Sequence, residues 1–184
     1  MLAVAECEQP PVGQARAGSP EAWDALFQRY QLPLYAYVFE LVQHEQSSLD
    51  VVQETFINAI RYLHTLRDDH KFGSWLFGIA HQKCVQQWRR QGKAEVLLPE
   101  PELATLVGLD EAPDEQLIRK EQEAEFMTSL HQLPPPQRSV LLLHFIEEFS
   151  LQEISAITQT PLGTVKSRLH YAKQALRTLL TTPR

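Results

Sequence analysis

Basic and hydroxyl-bearing side chains cluster near the C-terminus, at the start of a predicted long helix. Lys166, Ser167 and Arg168 are consecutive, and His170 and Lys173 follow at helical spacing. Side chains of these types can hydrogen-bond to base edges and hold phosphates. An ordinary amphipathic helix with a solvated basic face has the same composition. The neighbouring turn and capping signals favour DNA binding over that alternative.

A second candidate site combines an aromatic residue with bases at the end of another predicted helix. Trp88 is followed directly by Arg89 and Arg90. Aromatic rings can stack on unpaired bases while cations hold the phosphates, so this composition suits single-stranded DNA. The alternative is that Trp75 belongs to the core and that Arg89 and Arg90 form a solvated helix end. Spacing alone leaves both interpretations open.

A polar patch is predicted in the first half of the chain. Asp50, Gln53 and Glu54 are spaced i, i+3 and i+4, which brings them to one face of a helix. Such a patch is either a docking surface for another protein or a solvated face.

The sequence disfavours an enzyme. Glu147 and Glu148 are adjacent, so on a helix they point apart and make poor acid–base partners. His81 and Cys84 lie one turn apart, but a metal site needs two more ligands and none is patterned nearby. We find no Ser/His/Asp set and no glycine-rich phosphate loop. No cofactor is expected.

The composition predicts helical domains. Of 184 residues, 43% are hydrophobic and 22% charged, and no apolar run is long enough to span a membrane. The N-terminus lacks the basic start of a signal peptide. Cys7 and Cys84 are too few for a disulfide framework. So few cysteines are typical of a protein in the reducing cytoplasm. Glycine is scarce and alternating β-branched runs are missing, so we predict an all-α fold.

Charge divides the chain into parts. The net charge is −6, yet residues 94–127 hold ten acidic and two basic residues, a net charge of −8. That stretch also carries several prolines, which is typical of a linker. We therefore predict two small helical domains, 20–93 and 128–184, joined by an acidic linker (94–127) and preceded by a tail (1–19).

Four helices are predicted in the first domain. Ser19 and Pro20 open the first, and a second apolar stripe begins after Pro33. Ser47 and Ser48 are predicted to cap the third. Its expected buried face is given by Val52, Phe56, Ile60 and Leu63. A polar loop, 67–71, then leads to the fourth.

A helix-turn-helix pattern is predicted in the second domain. Leu133 and the prolines after it precede one helix, and Ser150 with Glu153 forms a capping box that opens a short one. Thr160 and Pro161 then open a long last helix that ends near Leu180. A short helix, a tight turn and a longer helix form the arrangement whose second helix enters the DNA major groove.

Taken together, these segments resemble an extracytoplasmic-function (ECF) sigma factor, which keeps only regions 2 and 4. The segment Asp50–Phe56, DVVQETF, resembles the D-L-V-Q-E-T-F of region 2.2. The segment Phe72–Ala80, FGSWLFGIA, resembles F-x-x-W-L-x-x-I-A of regions 2.3 and 2.4. Pro161–Leu169, PLGTVKSRL, resembles region 4. Both blocks stand in the expected order, which is more specific than a lone helix-turn-helix.

The resemblance implies roles in promoter-specific transcription initiation. Asp50, Gln53 and Glu54 would dock on the β′ clamp helices of core RNA polymerase. The −10 element would be bound and opened by the loop and the fourth helix. The residues assigned to it are Arg67, Asp68, Asp69, His70, Lys71, Phe72, Trp88, Arg89 and Arg90.

In the second domain the resemblance implies contact with the −35 element and with the β flap of the polymerase. The residues assigned to the −35 element are Thr164, Lys166, Ser167, Arg168, His170, Tyr171 and Lys173. The acidic linker would follow the polymerase channel toward the RNA exit, and an anti-sigma factor is an expected further partner. The inducing signal, the promoter sequences and any redox role of Cys7 or Cys84 stay open.

The sequence departs from the family pattern at four positions. Gln82 and Gln86 stand where the family usually has Asn and Asp, which leaves details of −10 recognition open. Ser155 replaces a usual Ala, a tolerable change in volume. Gln159 replaces the turn Gly, and it costs about 1 kcal/mol if that position needs a positive φ. The main alternative function is a helix-turn-helix regulator that acts without polymerase docking.

Overall fold

The computed structural model describes residues 10–90 and 120–181, except for the side chains of 120–125 and 181. Every regular element in these ranges is a helix, which confirms the all-α prediction. No helix in them is long and apolar enough to cross a bilayer. Cys7 and the greater part of the predicted linker lie outside the described residues. The chain divides into two compact units, described in turn.

Four helices and two short 3-10 turns make up the first unit: α1 (Val12–Arg16), α2 (Pro20–Val42), α3 (Glu45–Tyr62), the turns Leu63–Thr65 and Asp69–Lys71, and α4 (Phe72–Arg90). Helices α2, α3 and α4 each pack on the other two, and α1 packs on α2. The predicted N-terminal tail, 1–19, therefore contains a helix. That helix was missed because five residues are too few to show a period.

Helix α2 begins as predicted, since the hydroxyl of Ser19 accepts a 3.2 Å hydrogen bond from the amide of Ala22. Its continuation through Pro33 differs from the predicted second start. Proline in a helix interior removes one hydrogen bond. The helix nevertheless continues, because Leu26 before it and Leu34 and Tyr37 after it are all buried in the same core.

Helix α3 begins at Glu45 and not at the predicted serine cap. The ring of His44 accepts a 3.2 Å hydrogen bond from the amide of Ser47, so His44 is the N-cap. The predicted burial of Ile60 is also wrong, because its side chain is 58% exposed. Ala59 continues the buried stripe instead, and Ile60 is rotated about 100° from it around the helix axis.

Helix α4 supplies one wall of the core. Its buried stripe includes Leu76, Ala80 and Cys84. His81 is buried too, and its Nδ1 lies 2.8 Å from the hydroxyl of Tyr37. His81 therefore has a structural partner, and within the described ranges no group of three potential metal ligands forms.

The second unit is built from α5 (Lys120–Gln132), α6 (Pro135–Phe145), the first five residues of α7 (Leu151–Thr158) and α8 (Leu162–Thr181). Helices α5 and α6 pack on α8. Helix α5 begins inside the predicted linker, whose last eight residues are therefore helical. The predicted last helix is confirmed to within a residue or two at each end.

The predicted capping box before α7 is confirmed. The Glu153 carboxylate accepts a 2.9 Å hydrogen bond from the amide of Ser150, and the Ser150 hydroxyl accepts one of 3.3 Å from the amide of Glu153. Each side chain satisfies an amide at the helix start that has no partner within the helix.

Two of the departures from the family pattern shape the turn between α7 and α8: Gln159 lies in the turn, and Ser155 lies in α7. Gln159 has φ 53°, so this position does need the left-handed conformation that glycine adopts without strain. The hydroxyl of Ser155 donates a 2.6 Å hydrogen bond to the carbonyl of Thr160. Ser155 is therefore more than a tolerated change in volume, because it holds the turn closed.

Candidate functional site

The predicted polar patch lies on the exposed side of α3. Asp50, Gln53 and Glu54 are all exposed. Asp50 accepts a 3.1 Å hydrogen bond from the amide group of Gln46 on the same helix. Glu54 accepts a 2.6 Å hydrogen bond from the ammonium of Lys83 on α4 while its side chain stays 64% exposed. The patch therefore presents two carboxylates to solvent, one of them held in place.

Exposed apolar side chains adjoin this patch, and sequence reasoning missed them. Leu49, Ile57 and Ile60 are all exposed on α3. With Gln53 they are spaced i, i+4, i+8 and i+11, which places them along one line of the helix surface. We call these three residues the apolar stripe of α3. The signal in the sequence was Ile57, which is out of step with Val52 and Phe56, whereas Ile60 follows their spacing and was assigned to the buried face.

The loop before α4 is shaped by its own carboxylates. Asp68 accepts a 3.1 Å hydrogen bond from the amide of His70 and so caps the 3-10 turn. The ammonium of Lys71 lies 3.9 Å from the other oxygen of Asp68. Asp69 forms an ion pair with Arg16 of α1, a residue that the sequence did not indicate.

The exposed members of the loop are consequently cationic or neutral. Arg67, His70 and Lys71 are exposed, whereas Asp68 and Asp69 are partly buried. The acidic side chains of this loop are engaged by other groups of the protein, and its basic side chains face the solvent. Such a loop is suited to binding a polyanion.

Two residues that the resemblance assigned to the −10 element lie inside the fold. Phe72 is buried, its ring 5.3 Å from that of Tyr30. Trp88 is only 3% exposed. Both follow the i+4 spacing of the buried α4 stripe that includes Leu76, and their side chains are therefore packed in the core. In this fold neither ring is available for stacking on a base, while Arg89 and Arg90 stay exposed at the helix end.

The first half of α8 carries most of the predicted basic face. Lys166 is exposed, and Ser167, His170 and Lys173 are partly exposed. Thr164 is partly exposed as well, and its carbonyl accepts a 3.0 Å hydrogen bond from the hydroxyl of Ser167.

Arg168 does not lie on this face. Its side chain is only 8% exposed. The reason is its position three residues after Val165 and next to Leu169, both buried, which places it on the core stripe of α8. Sequence reasoning counted its charge and overlooked its register.

Tyr171 also differs from the other assigned residues in where it lies. Together with Leu133, Pro134, Ala175 and Leu179 it lines a groove of about 530 Å³ between the start of α6 and α8. Its side chain is therefore one step around the helix from the stripe of Lys166 and His170.

Lys173 is oriented by an aromatic ring from a neighbouring helix. Its ammonium lies 5.3 Å from the ring centroid of Phe145 at the end of α6. Phe145 is exposed, so this cation–π contact holds the cation at the surface. Lys166, His170 and Lys173 thus form the basic face of α8.

Two family models match separate parts of the chain. Residues 26–94 match the model of Sigma-70 region 2. Residues 123–176 match the model of Sigma-70, region 4.

Full-length relatives extend the match to both units. The RNA polymerase sigma-H factor of Pseudomonas aeruginosa is 32% identical over 179 residues, covering 93% of this chain and 92% of the relative. The ECF RNA polymerase sigma-E factor of Salmonella typhimurium is 32% identical, with 92% of both chains covered. SigW of Bacillus subtilis, another ECF sigma factor, is 28% identical, covering 90% of this chain and 92% of its own.

Solved structures agree on the fold. The sigma factor RpoE of Bartonella quintana, in complex with the anti-sigma factor NepR, superimposes with a TM-score of 0.62 at 26% identity, covering 86% of this chain and 98% of that one. CnrH, solved with the cytosolic domain of CnrY, gives a TM-score of 0.65 at 24% identity, covering 92% and 94%.

A helical fold whose two units match sigma regions 2 and 4 defines a sigma subunit of bacterial RNA polymerase. The chain belongs to the extracytoplasmic-function family of these sigma factors. Its function is to direct transcription initiation with RNA polymerase. The match along both units disfavours a regulator that acts without the polymerase.

Proposed function

We propose that this sigma factor docks on the β′ clamp helices of core polymerase through α3, opens the −10 element with region 2 and reads the −35 element with α8. Region 2 would comprise residues 20–93 and region 4 residues 128–184. The observation that carries the proposal is the exposed surface of α3, where a polar patch and the apolar stripe lie side by side. No catalytic group is assigned, because the chemistry belongs to the polymerase.

The docking surface combines two features that protein interfaces share. The apolar stripe gives it area to remove from water, and Asp50, Gln53 and Glu54 give it polar specificity at the rim. Isolated exposed apolar residues are ordinary on protein surfaces. Three in line beside a carboxylate pair fit a partner that offers both apolar and basic side chains.

For the −10 element the proposal rests on the exposed face of the loop. Arg67, His70 and Lys71 can hold phosphates and hydrogen-bond to a base that has left the stack. Arg89 and Arg90 at the end of α4 add two further cations. Phe72 and Trp88 contribute here by holding α4 in the core.

For the −35 element we assign the exposed side chains at the start of α8. Lys166 and Ser167 lie in the first turns of the second helix of a helix-turn-helix, the part that reaches base edges. His170 and Lys173 lie farther along the same helix and suit backbone phosphates.

Two protein partners are proposed for other parts of the chain. The groove between the start of α6 and α8 is lined by apolar residues such as Leu133 and Leu179 and by polar ones such as Gln137, which suits an amphipathic helix from the β flap. An anti-sigma factor is proposed because the RpoE structure contains one, NepR. We place the protein in the cytoplasm, where the polymerase acts.

The proposal is tested by run-off transcription with the full-length protein, core polymerase and genomic DNA, followed by mapping of the start sites. We expect start sites that share one −35 and one −10 sequence and that need both proteins. Tight, specific binding of the free protein to the same promoters, with no polymerase-dependent transcripts, would instead support a regulator.

A further inference from the structure

The short helix α1 is fixed to the first unit. Val12 and Ala15 are buried against the rest of the unit. The indole of Trp23 donates a 3.1 Å hydrogen bond to the carbonyl of Ala15, and the amide of Ser19 donates one of 3.1 Å to the carbonyl of Gln14. These contacts hold the backbone that carries Arg16 in a set position relative to α2.

From that position Arg16 reaches the loop proposed to bind the −10 element, and it does so at two points. One guanidinium nitrogen, Nη2, donates a 3.0 Å hydrogen bond to the carbonyl of Leu66. The same nitrogen pairs with Oδ1 of Asp69, and Nη1 lies 3.4 Å from Oδ2. The planar guanidinium suits this arrangement, since it can serve several acceptors at fixed angles.

Each of the two contacts lies directly before exposed residues of the loop. Leu66 precedes Arg67, and Asp69 precedes His70 and Lys71. Holding both points limits the conformations in which these three exposed side chains are presented. The contact also neutralises a carboxylate that would repel the phosphates of an approaching DNA strand.

We propose that Arg16 is a positioning residue for −10 selection, one that touches no DNA and acts by holding the loop through Leu66 and Asp69. This inference rests on the proposed role of the loop. It assigns a specificity function to a helix that precedes the matched region 2, which begins at residue 26.

The test uses the full-length protein with core polymerase on a promoter from the start-site mapping, with its −10 element randomised. Transcripts are sequenced, and the measured quantity is the ratio of preferred to disfavoured bases. The variants are Arg16→Gln and Arg16→Lys. Gln14→Glu is the matched control, because it makes the same change in net charge on the same helix at an exposed side chain.

We expect Arg16→Gln to lower the base ratio by about threefold to tenfold, as suits the loss of a charge-assisted contact of this exposure. The base ratio of Arg16→Lys should lie between those of Arg16→Gln and the wild type. Lysine keeps the positive charge, but it lacks the planar guanidinium that serves two acceptors at once. Gln14→Glu should match the wild type. The yield of holoenzyme and the melting temperature should be close to normal in all three.

Reversal of the pair separates positioning from general damage. The double change Arg16→Asp with Asp69→Arg should recover part of the base ratio that Arg16→Asp alone loses. A stable double variant with no recovery would overturn the inference.

A loop variant, His70→Ala, keeps this inference distinguishable from the proposed function. If His70→Ala changes the base ratio and Arg16→Gln does not, the loop binds the −10 element and Arg16 does not position it. If neither variant changes the ratio, the loop assignment is wrong and the inference fails with it.

Discussion

The ammonium of Lys83 on α4 donates a 2.6 Å hydrogen bond to the carboxylate of Glu54 on α3. Lys83 is largely covered, with 16% of its side chain exposed, whereas Glu54 keeps most of its surface in water. One partner is therefore part of the helix packing and the other part of the proposed docking patch. A carboxylate held in this way loses less side-chain entropy when a partner binds.

This ion pair allows a charge reversal that preserves the fold. Glu54→Lys alone should cost about 1 kcal/mol of stability, because it places two ammonium groups together. Adding Lys83→Glu should restore the melting temperature, since the pair is rebuilt with opposite signs. Binding to core polymerase should stay weak in both variants. Normal polymerase affinity in the stable double variant would show that Glu54 is only a solvated residue.

The apolar stripe of α3 should matter for binding and not for folding. Ile60→Ser should change the free energy of unfolding by less than about 0.5 kcal/mol, as exposed positions usually do. Its affinity for core polymerase should fall by about 1–2 kcal/mol if the side chain is buried in the complex. Leu32→Ser, at an exposed leucine of α2, is the matched control. Equal affinities for the two variants would exclude the stripe from the interface.

Two neighbouring cations of α8 should behave differently. Lys166→Ala should weaken −35 DNA binding by about 1–3 kcal/mol if the contact is to a base, with little effect on stability. Arg168→Ala should lower the melting temperature first, because its side chain is buried. For both variants, fluorescence anisotropy with a −35 duplex measures the DNA affinity, and thermal unfolding measures the stability. Loss of DNA binding in a fully stable Arg168→Ala variant would instead show that Arg168 contacts the DNA.

The turn before α8 should respond in opposite directions to two substitutions. Ser155→Ala removes the hydrogen bond to the Thr160 carbonyl and should cost about 1 kcal/mol. Gln159→Gly relieves a left-handed φ and should stabilise by about 0.5–1 kcal/mol, although the freer unfolded chain offsets part of it. Denaturant unfolding measures both, and a destabilised Gln159→Gly variant would contradict the strain argument.

Cys84 should be unreactive in the folded protein. Burial raises the pKa of its thiol to about 12, so the thiolate is scarce at neutral pH. Because the folded state holds the proton more tightly than the unfolded state, stability should fall as pH rises from the ordinary thiol range toward 12. In a Cys7→Ser background, iodoacetamide should label Cys84 only after denaturation. Rapid labelling of the native protein would reopen a redox role.

The sequence by itself determined features that depend on neighbours along the chain. The cap at Ser19, the capping box of Ser150 and Glu153 and the helix-turn-helix order were all predicted correctly, because each depends on residues within one or two turns. The exposed patch of Asp50, Gln53 and Glu54 also followed from spacing alone. Carboxylates and amides rarely enter a core without a partner.

Tertiary structure decided which of two adjacent helix faces is buried. Ile60 and Ala59 differ by one step around α3, and the packing of α2 and α4 chose the alanine. Similar choices buried Arg168 on α8 and Trp88 on α4, although charge and composition suggested exposure. Periodicity in the sequence predicts the spacing of the buried residues along a helix. The helices that pack against it decide which face of that helix is buried.

Contacts between distant residues were beyond any local pattern. Arg16 and Asp69 are 53 positions apart, and Glu54 and Lys83 are 29 apart. Each pair forms because helix packing brings a cationic side chain next to a carboxylate. The sequence offers each of these charged residues many possible partners of opposite charge. Only the assembled fold selects one of them, since the Coulomb interaction depends on distance in space and not along the chain.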